Sequence, residues 1–334
     1  MALCKIYLFT YKRPSLLPRA IQSLCNQTFC DWTCDVHNDD PNDLFPEQYI
    51  KSLNDNRFVV KNHNSNLGAT KSFNLAFEPC QETFISILED DNWWEETFLQ
   101  RMIDTLEKNH HVNMAWTNMF VWKETIEGFW ENTNTTVWPI DKQDTLFLEP
   151  NDLQAMGALH SNGAMMFRSK DSSKYIIPNV CDFNIMEAVR ERTYAFPILL
   201  VNDPLANYAI TRETTREKNS IKWTSNQVLL LTSFINASEK REEKFNHLLK
   251  IYRDQIPTPI ANFFLCNIFY LKNYKLYFFF NFKDWFNIIK WLIKNVANLK
   301  NMKAYLASQK DLYIYLLEKT SKRFFSDPKP EKCH

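Results

Sequence analysis

Glycine is scarce in this 334-residue chain, which has only 4. A glycine-rich phosphate-binding loop is therefore excluded after the first strand-like run, where Thr10-Tyr11-Lys12-Arg13-Pro14 stands. Long apolar runs are missing too. The best uncharged window, 255–271, contains Pro257 and Pro259 and falls short of the roughly 20 residues a membrane-crossing helix needs. No signal peptide is expected, because Lys5 interrupts a start that is already strand-like and no small-residue cleavage site follows. The sequons at Asn26, Asn134 and Asn236 are then silent. None of the 8 cysteines forms a Cys-x-x-Cys pair, and several lie in apolar contexts, so they read as reduced and structural in a cytosolic compartment.

Overall net charge is absent as well, since 39 Lys and Arg balance 39 Asp and Glu, but the balance hides a gradient. Residues 250–334 carry 15 basic against 6 acidic side chains, leaving 24 against 33 for residues 1–249. What the chain has in excess is aromatic: 26 Phe, 13 Tyr and 10 Trp, a composition suited to stacking flat ligands or touching a membrane interface.

Periodicity predicts strands at 6–10, 34–38, 57–62 and 84–88. They alternate with helices at 14–26, 47–53, 70–77 and from Trp93 to Lys108. Such alternation with short connections implies an α/β fold with a doubly wound, mostly parallel sheet flanked by helices. Beyond it, 114–122, 164–168 and 196–201 are strand-like, 183–192 is helical, and 131–136 is a polar Asn/Thr-rich stretch. Residues 211–220 read as a charged exposed loop. From about Ser225 the pattern is helical and aromatic with interspersed Lys, so the expected division is a first domain over 1–215 and a helical, basic C-terminal region over 225–334.

The run Phe84-Ile85-Ser86-Ile87-Leu88 ends in Glu89-Asp90-Asp91. A buried strand ending this way sets carboxylates together at the rim of a sheet, where a divalent cation relieves their repulsion; hard oxygen ligands suit Mg or Mn. The competing reading is that Asp90 and Asp91 open the next helix and complement its dipole. Two more strand ends are polar, Thr10-Tyr11-Lys12-Arg13 and Asn38-Asp39-Asp40, and ligands of such sheets lie beyond the carboxyl ends of the strands. Three polar ends in one sheet point to a shared ligand.

Those segments, with Ser23-Leu24-Cys25-Asn26-Gln27-Thr28-Phe29 and Asn66-Leu67-Gly68-Ala69-Thr70-Lys71-Ser72-Phe73-Asn74, resemble in order and spacing the inverting family 2 glycosyltransferases of the GT-A fold, including the spore-coat polysaccharide type. The match covers roughly the first 95 residues, thins through residue 210 and is absent in the tail. It implies a GT-A sheet with a C-terminal helical extension, and a UDP- or dTDP-sugar donor. Asp40 would accept from the pyrimidine N–H, while Thr10, Tyr11 and Arg13 supply hydroxyl, stacking surface and charge. Lys71 would add charge near the phosphates or ribose. Asp90 would contact the ribose or a metal-bound water, and Asp91 would hold Mn or Mg against the diphosphate. For Arg13 and Lys71 the plain reading is a surface cation. The general base falls on Asp182, where Cys181 replaces the first acid of the family's usual pair; Asp182 also suits a helix N-cap, and Glu187 is the weaker substitute. His160-Ser161-Asn162-Gly163 resembles the acceptor-side turn, with Gly163 read as a tight approach beside a sugar. Arg212 or Arg216 would reach the diphosphate from a lid.

The resemblance thus implies an enzyme that moves a hexose-type sugar to a hydroxyl of a glycan or lipid-linked acceptor in surface polysaccharide synthesis. The alternatives are a nucleotidyltransferase, disfavoured by the missing glycine-rich loop, and a non-catalytic sugar- or nucleic-acid-binding module. Phosphate-backbone binding would not explain Asp40, Asp90 and Asp91, so no nucleic-acid partner is expected. For the basic aromatic tail two readings stand: peripheral contact with an anionic bilayer, placing a cytoplasmic protein on the inner face of the plasma membrane, or a helical subdomain with solvated Lys.

Overall fold

The computed structural model describes residues 2–141, 143–212, 220–253 and 260–324. The chain divides into two compact units: one of residues 1–149, 160–179 and 195–215, the other of residues 150–159, 180–194 and 216–334.

The first unit is built on strands β1 (Cys4–Thr10), β2 (Trp32–Asn38), β3 (Phe58–Asn62) and β4 (Phe84–Glu89), which run parallel in the order β3-β2-β1-β4. Ile6, Leu8, Phe84 and Leu88 are at most 1% exposed on one face and Tyr7, Phe9, Ile85 and Ile87 at most 7% on the other, so burial on both faces selects β1 and β4 as inner strands. Helices α1 (Leu17–Cys25), α2 (Phe45–Leu53) and α3 (Ala69–Asn74) make the crossovers, and α3 tightens into a 3-10 turn at Leu75–Phe77. On one face Leu17, Ala20, Ile21 and Leu24 of α1, three and four residues apart, pack into a core with Ile6, Leu8, Val36 and Trp32. On the sheet, Phe9 packs against Phe73 of α3 at 4.6 Å.

β4 is followed not by a helix but by β5 (Trp93–Trp94), which pairs antiparallel with Ala206 and Asn207; α4 (Phe98–Lys108) begins four residues later. The helix expected from Trp93 is therefore shorter, and Asp90 and Asp91 lie in a turn between two strands. The helix-dipole reading of these acids falls with it. Strand alternation accounts for the doublet: Trp94 is 3% exposed while Trp93 is half-buried on the other side.

The sheet continues through β6 (Met114–Glu124), β7 (Trp130–Thr136), β8 (Thr145–Phe147), β9 (Met165–Arg168) and, after α5 (Met186–Glu191) of the second unit, β10 (Ile198–Ile210). Its order is β3-β2-β1-β4-β9-β6-β10-β5, with β7 on β6 and β8 on β10. β9 is antiparallel to both β4 and β6, whereas the longest ladder, β6 with β10, is parallel. The polar stretch at 131–136 forms β7; an edge strand with mostly exposed side chains needs no apolar alternation.

In the second unit, helices α6 (Ser220–Ala237), α7 (Arg241–Arg253), α8 (Ala261–Cys266), α9 (Phe282–Asn295), α10 (Leu299–Ser308) and α11 (Lys310–Phe324) follow in order. All residues from Val228 to Ile235 are buried, so α6 is covered on every side and serves as the central helix. Phe245, Phe263, Leu312 and Leu316 belong to the same buried set. Among the described residues no helix is long and apolar enough to cross a membrane. The seven described cysteines form no disulfide; Cys4, Cys34, Cys181 and Cys266 are buried and Cys30 is exposed.

Candidate active site

Register brings the polar strand ends together. Thr10 pairs with Asn38 and Phe9 with Glu89, and the ladder runs on into the loops: Asp39 N–H donates to Thr10 O (3.0 Å) and Asp90 N–H to Phe9 O (3.2 Å). The three ends expected to share a ligand are thus neighbours at one rim. Lys12 turns the chain there with φ 56°, a left-handed conformation that costs a non-glycine residue roughly 1–2 kcal/mol. Its Nζ lies over the Tyr11 ring at 5.0 Å and 3.9 Å from Asp40 Oδ2, while Tyr11 itself is 43% exposed.

Arg13 joins the acids. One guanidinium nitrogen donates to Asp90 Oδ1 (3.1 Å) and Asp91 Oδ2 (2.6 Å). Asp90 is almost wholly buried, and its Oδ2 accepts from the Tyr11 N–H at 3.3 Å. Burial pushes its carboxyl up to about 6 even though Arg13 pulls the other way; Asp91 adds to the rise, and bonds from Thr10 and Tyr11 offset part of it. Desolvation wins over the ion pair because only one guanidinium nitrogen is shared between two acids. Asp90 is thereby committed to its own chain, and Asp91, with a more exposed side chain, is the acid that faces outward.

Among the described residues no group of three or more His, Cys, Asp or Glu is arranged to hold a metal ion. The donor set fits one nonetheless. Mg or Mn is held by one or two carboxylates together with substrate phosphates rather than by a full protein cage, and Asp91 Oδ1 has no protein partner among the described residues.

At the end of β2 the two acids divide their work. Asp40 Oδ1 accepts from the Asn42 N–H (3.1 Å), and among the described residues its Oδ2 has only the distant Lys12. Asp39, 7% exposed, faces inward: Oδ1 accepts from Leu67 N–H (2.8 Å) and contacts His63 Nδ1 (2.9 Å), and Oδ2 accepts from Gly68 N–H (3.1 Å). Gly68 sits at φ 78°, ψ 151°, a conformation only glycine adopts without strain, and it caps the start of α3. Asp39 thus pins the loop that presents Lys71, whose side chain is exposed.

Gly163 is tight for a different reason from the one expected. A Cβ there would lie 3.2 Å from both Asn92 Nδ2 and Glu89 Oε2, which are bonded to each other at 2.6 Å. Asn92, 2% exposed, accepts Ala209 N–H, and Trp94 Nε1 donates to Gly163 O at 2.7 Å. The glycine makes room for the turn behind Asp90 and Asp91. His160 is buried and stacks on Trp116 at 4.8 Å.

In the second unit Asp182 caps the 3-10 turn Phe183–Ile185, Oδ1 accepting from the Asn184 N–H (2.9 Å) and its side-chain amide (2.8 Å). Its Oδ2 is 2.5 Å from Lys222 Nζ. Burial raises its carboxyl, but Lys222 and Asn184 outweigh burial and hold it below the ordinary range. The capping role left open by the sequence is therefore present. Arg212 donates to the Ile126 carbonyl at 2.8 Å, and Arg216 lies outside the described residues.

The sequence model described as glycosyl transferase family 2 matches residues 6–172, half of the chain. This chain belongs to that family. The family 2 glycosyltransferase is 31% identical over 93 residues to the protein of Escherichia coli K12 named for colanic acid biosynthesis glycosyl transfer, WcaA, covering 28% of this chain and 33% of that one. It is 28% identical over 135 residues to an uncharacterized glycosyltransferase of Methanocaldococcus jannaschii, covering 40% of this chain and 44% of the other. The matches thus span less than half the length of these curated relatives. Among solved structures it resembles S. aureus TarS 1–349 in complex with UDP-GlcNAc, with TM-score 0.57 and 14% identity, over 97% of this chain and 89% of that one. At that identity the likeness concerns the fold, which is GT-A.

One residue beside the candidate site carried no sequence signal. Arg19 on α1 donates to the Asp91 carbonyl at 2.7 Å, its guanidinium 3.8 Å from the centre of the Trp93 ring and 3.9 Å from that of Trp130. Burial lowers it to about 10, with Asp91 and Glu124 opposing. Only the Trp93-Trp94 doublet, read as a strand, would have hinted at this box.

Proposed function

We propose that this enzyme transfers a sugar, with inversion, from a UDP- or dTDP-sugar to a hydroxyl of a glycan or lipid-linked acceptor in surface polysaccharide synthesis. The observation that carries the reading is the meeting of Thr10–Arg13, Asp40 and Asp90–Asp91 at one rim, joined by Arg13 across Asp90 and Asp91. A relative named for colanic acid biosynthesis supports the polysaccharide role, and a neighbour in fold holding UDP-GlcNAc supports the donor class.

Residues 1–215 serve as the donor-binding and catalytic domain and 225–334 as the C-terminal region. Asp40 accepts from the pyrimidine N–H, Tyr11 stacks on the base, and Thr10 orders the turn through Asp90. Arg13 leaves Asp91 to meet the incoming diphosphate, with Lys71 adding charge. Asp91 holds Mn or Mg, which when bound stabilises negative charge on the departing nucleoside diphosphate. Asp182, ionised at neutral pH, takes the proton of the acceptor hydroxyl once Lys222 releases it. The protein works in the cytoplasm, and its C-terminal region meets the inner face of the membrane that carries the acceptor.

A panel of nucleotide sugars, with and without Mn, and mass-spectrometric detection of released nucleotide tests this. UDP or dTDP release that needs metal and disappears in Asp91→Ala is expected. Binding without turnover for every donor, or turnover indifferent to both metal and Asp91, would refute the reading.

A further inference from the structure

Among the described residues, α9 carries an apolar face that its own unit leaves uncovered. At about 100° per residue, Phe282, Phe286, Ile289 and Ile293 fall within a sector roughly 60° wide. They are 89%, 61%, 53% and 76% exposed, and Val296 just past the helix extends the stripe at 61%. Single exposed apolar residues are ordinary, but five on one line form a patch. Ile288 and Asp284, on the far side, are buried and anchor the helix.

The charges around the stripe have one sign. Lys283, Lys290 and Lys294 are exposed and lie together on one flank, about 100° from the stripe. The single acid of α9, Asp284, is 1% exposed; Arg253 donates to it at 2.8 Å and it accepts the Asn281 N–H at 3.0 Å in a capping box. The outward charge of α9 is therefore purely basic. Phe278 and Tyr274, 82% and 70% exposed just before the helix, lengthen the aromatic surface.

We propose that α9 lies in the interface of an anionic lipid bilayer, Phe282, Phe286, Ile289 and Ile293 entering the acyl boundary and the lysine row meeting headgroup phosphates. A helix of 14 residues is about 21 Å long, enough to lie along the surface and too short to cross a core of about 30 Å. An apolar stripe flanked by Lys is the pattern such placement requires. An antiparallel two-fold pairing through the same stripe would instead set the lysine row of one copy beside that of the other. The proposal deepens the membrane part of the functional reading above and rests on it.

The full chain, without donor, is to be floated with phosphatidylcholine vesicles with and without phosphatidylglycerol. Binding to the anionic vesicles is expected, about ten-fold or more weaker in both Phe286→Ser/Ile293→Ser and Lys283→Glu/Lys290→Glu/Lys294→Glu, with unchanged circular dichroism and melting. If wild type and both variants bind equally, α9 is not the contact and the proposal falls. If the wild type ignores anionic vesicles, both membrane readings fail. A dimer in light scattering that the Ser variant dissolves, without vesicle binding, assigns the stripe to a second copy and overturns the proposal. Nucleotide release in lipid-free buffer, unchanged in all variants, keeps the glycosyl-transfer reading separate.

Discussion

A chain of two histidines beneath the β2 rim makes a quantitative prediction for acid stability. His63 Nδ1 lies 2.9 Å from Asp39 Oδ1, and His37 Nδ1 lies 3.0 Å from His63 Nε2. A carboxylate accepts only, so with both rings neutral His63 donates from Nδ1 and accepts at Nε2; His37 then donates from Nδ1 and turns a bare Nε2 lone pair inward. Among the described residues that Nε2 is buried without a partner, and the ring stacks on Tyr7 at 5.7 Å. Protonating His37 would place an N–H where nothing accepts it. Burial first, then the neighbouring His63, lowers His37 to about 4 from an ordinary 6.5, with Lys61 and Lys5 reinforcing and Asp35 opposing.

The sign follows directly. Between pH 6.5 and 4 the unfolded chain binds a proton that the folded chain refuses, so stability falls as pH falls through that window. A shift from 6.5 to about 4 is worth about 3 kcal/mol in full, of which about 2 kcal/mol is already lost at pH 5. His37→Phe keeps the ring stack and removes the titration. It gives up the bond to His63, so about 1–3 kcal/mol of stability should be missing at pH 7.5. Urea denaturation at pH 7.5 and 5.0 reads both: the variant should lose about 2 kcal/mol less than wild type between the two pH values. Equal losses would show that His37 is protonated at no cost, and the assigned tautomers would be wrong.

Arg13→Gln should bind Mn about ten-fold more tightly than wild type in titration calorimetry without donor, because a charge-assisted bond to Asp91 worth about 1.5–3 kcal/mol no longer competes, while donor affinity falls; an unchanged Mn affinity would mean that Arg13 does not shield Asp91. Gly163→Ala should destabilise the chain by about 1–3 kcal/mol, since its Cβ lands 3.2 Å from two side chains that are bonded to each other; an unshifted urea midpoint would show that this turn is slack. Lys222→Met removes the cation that, together with Asn184, outweighs burial at Asp182, so that carboxyl should titrate higher and the acid limb of the pH–rate profile should move up in pH; an unmoved limb would exclude Asp182 as the base.

What was legible in the sequence is local. The apolar runs that become β1 to β4 and the amphipathic spacing of Leu17, Ala20, Ile21 and Leu24 need only burial on known faces, and the structure keeps them. Trp93 to Thr97 were misassigned because two residues are too few to show a period, and their strand character comes from a partner more than 100 residues away in β10. The same holds for the polar β7, whose ladder is supplied by β6.

The candidate site divides along a related line. Carboxylates at strand ends can be read as acids, but which acid turns inward depends on backbone N–H groups that no residue type encodes. Of the pair at β2, Asp39 is consumed by Leu67 and Gly68, which leaves Asp40 for a ligand; of the pair at β4, Asp90 is consumed by Tyr11 and Thr10, which leaves Asp91. Each doublet therefore pairs a buried acid that shapes the rim with an outward one available for chemistry. Swapping roles within a doublet is not conservative. Asp39 accepts the Leu67 and Gly68 N–H groups with different oxygens, so Asp39→Asn turns one acceptor into a donor and should release the Leu67-Gly68 loop, whereas Asp91→Asn should leave the rim ordered.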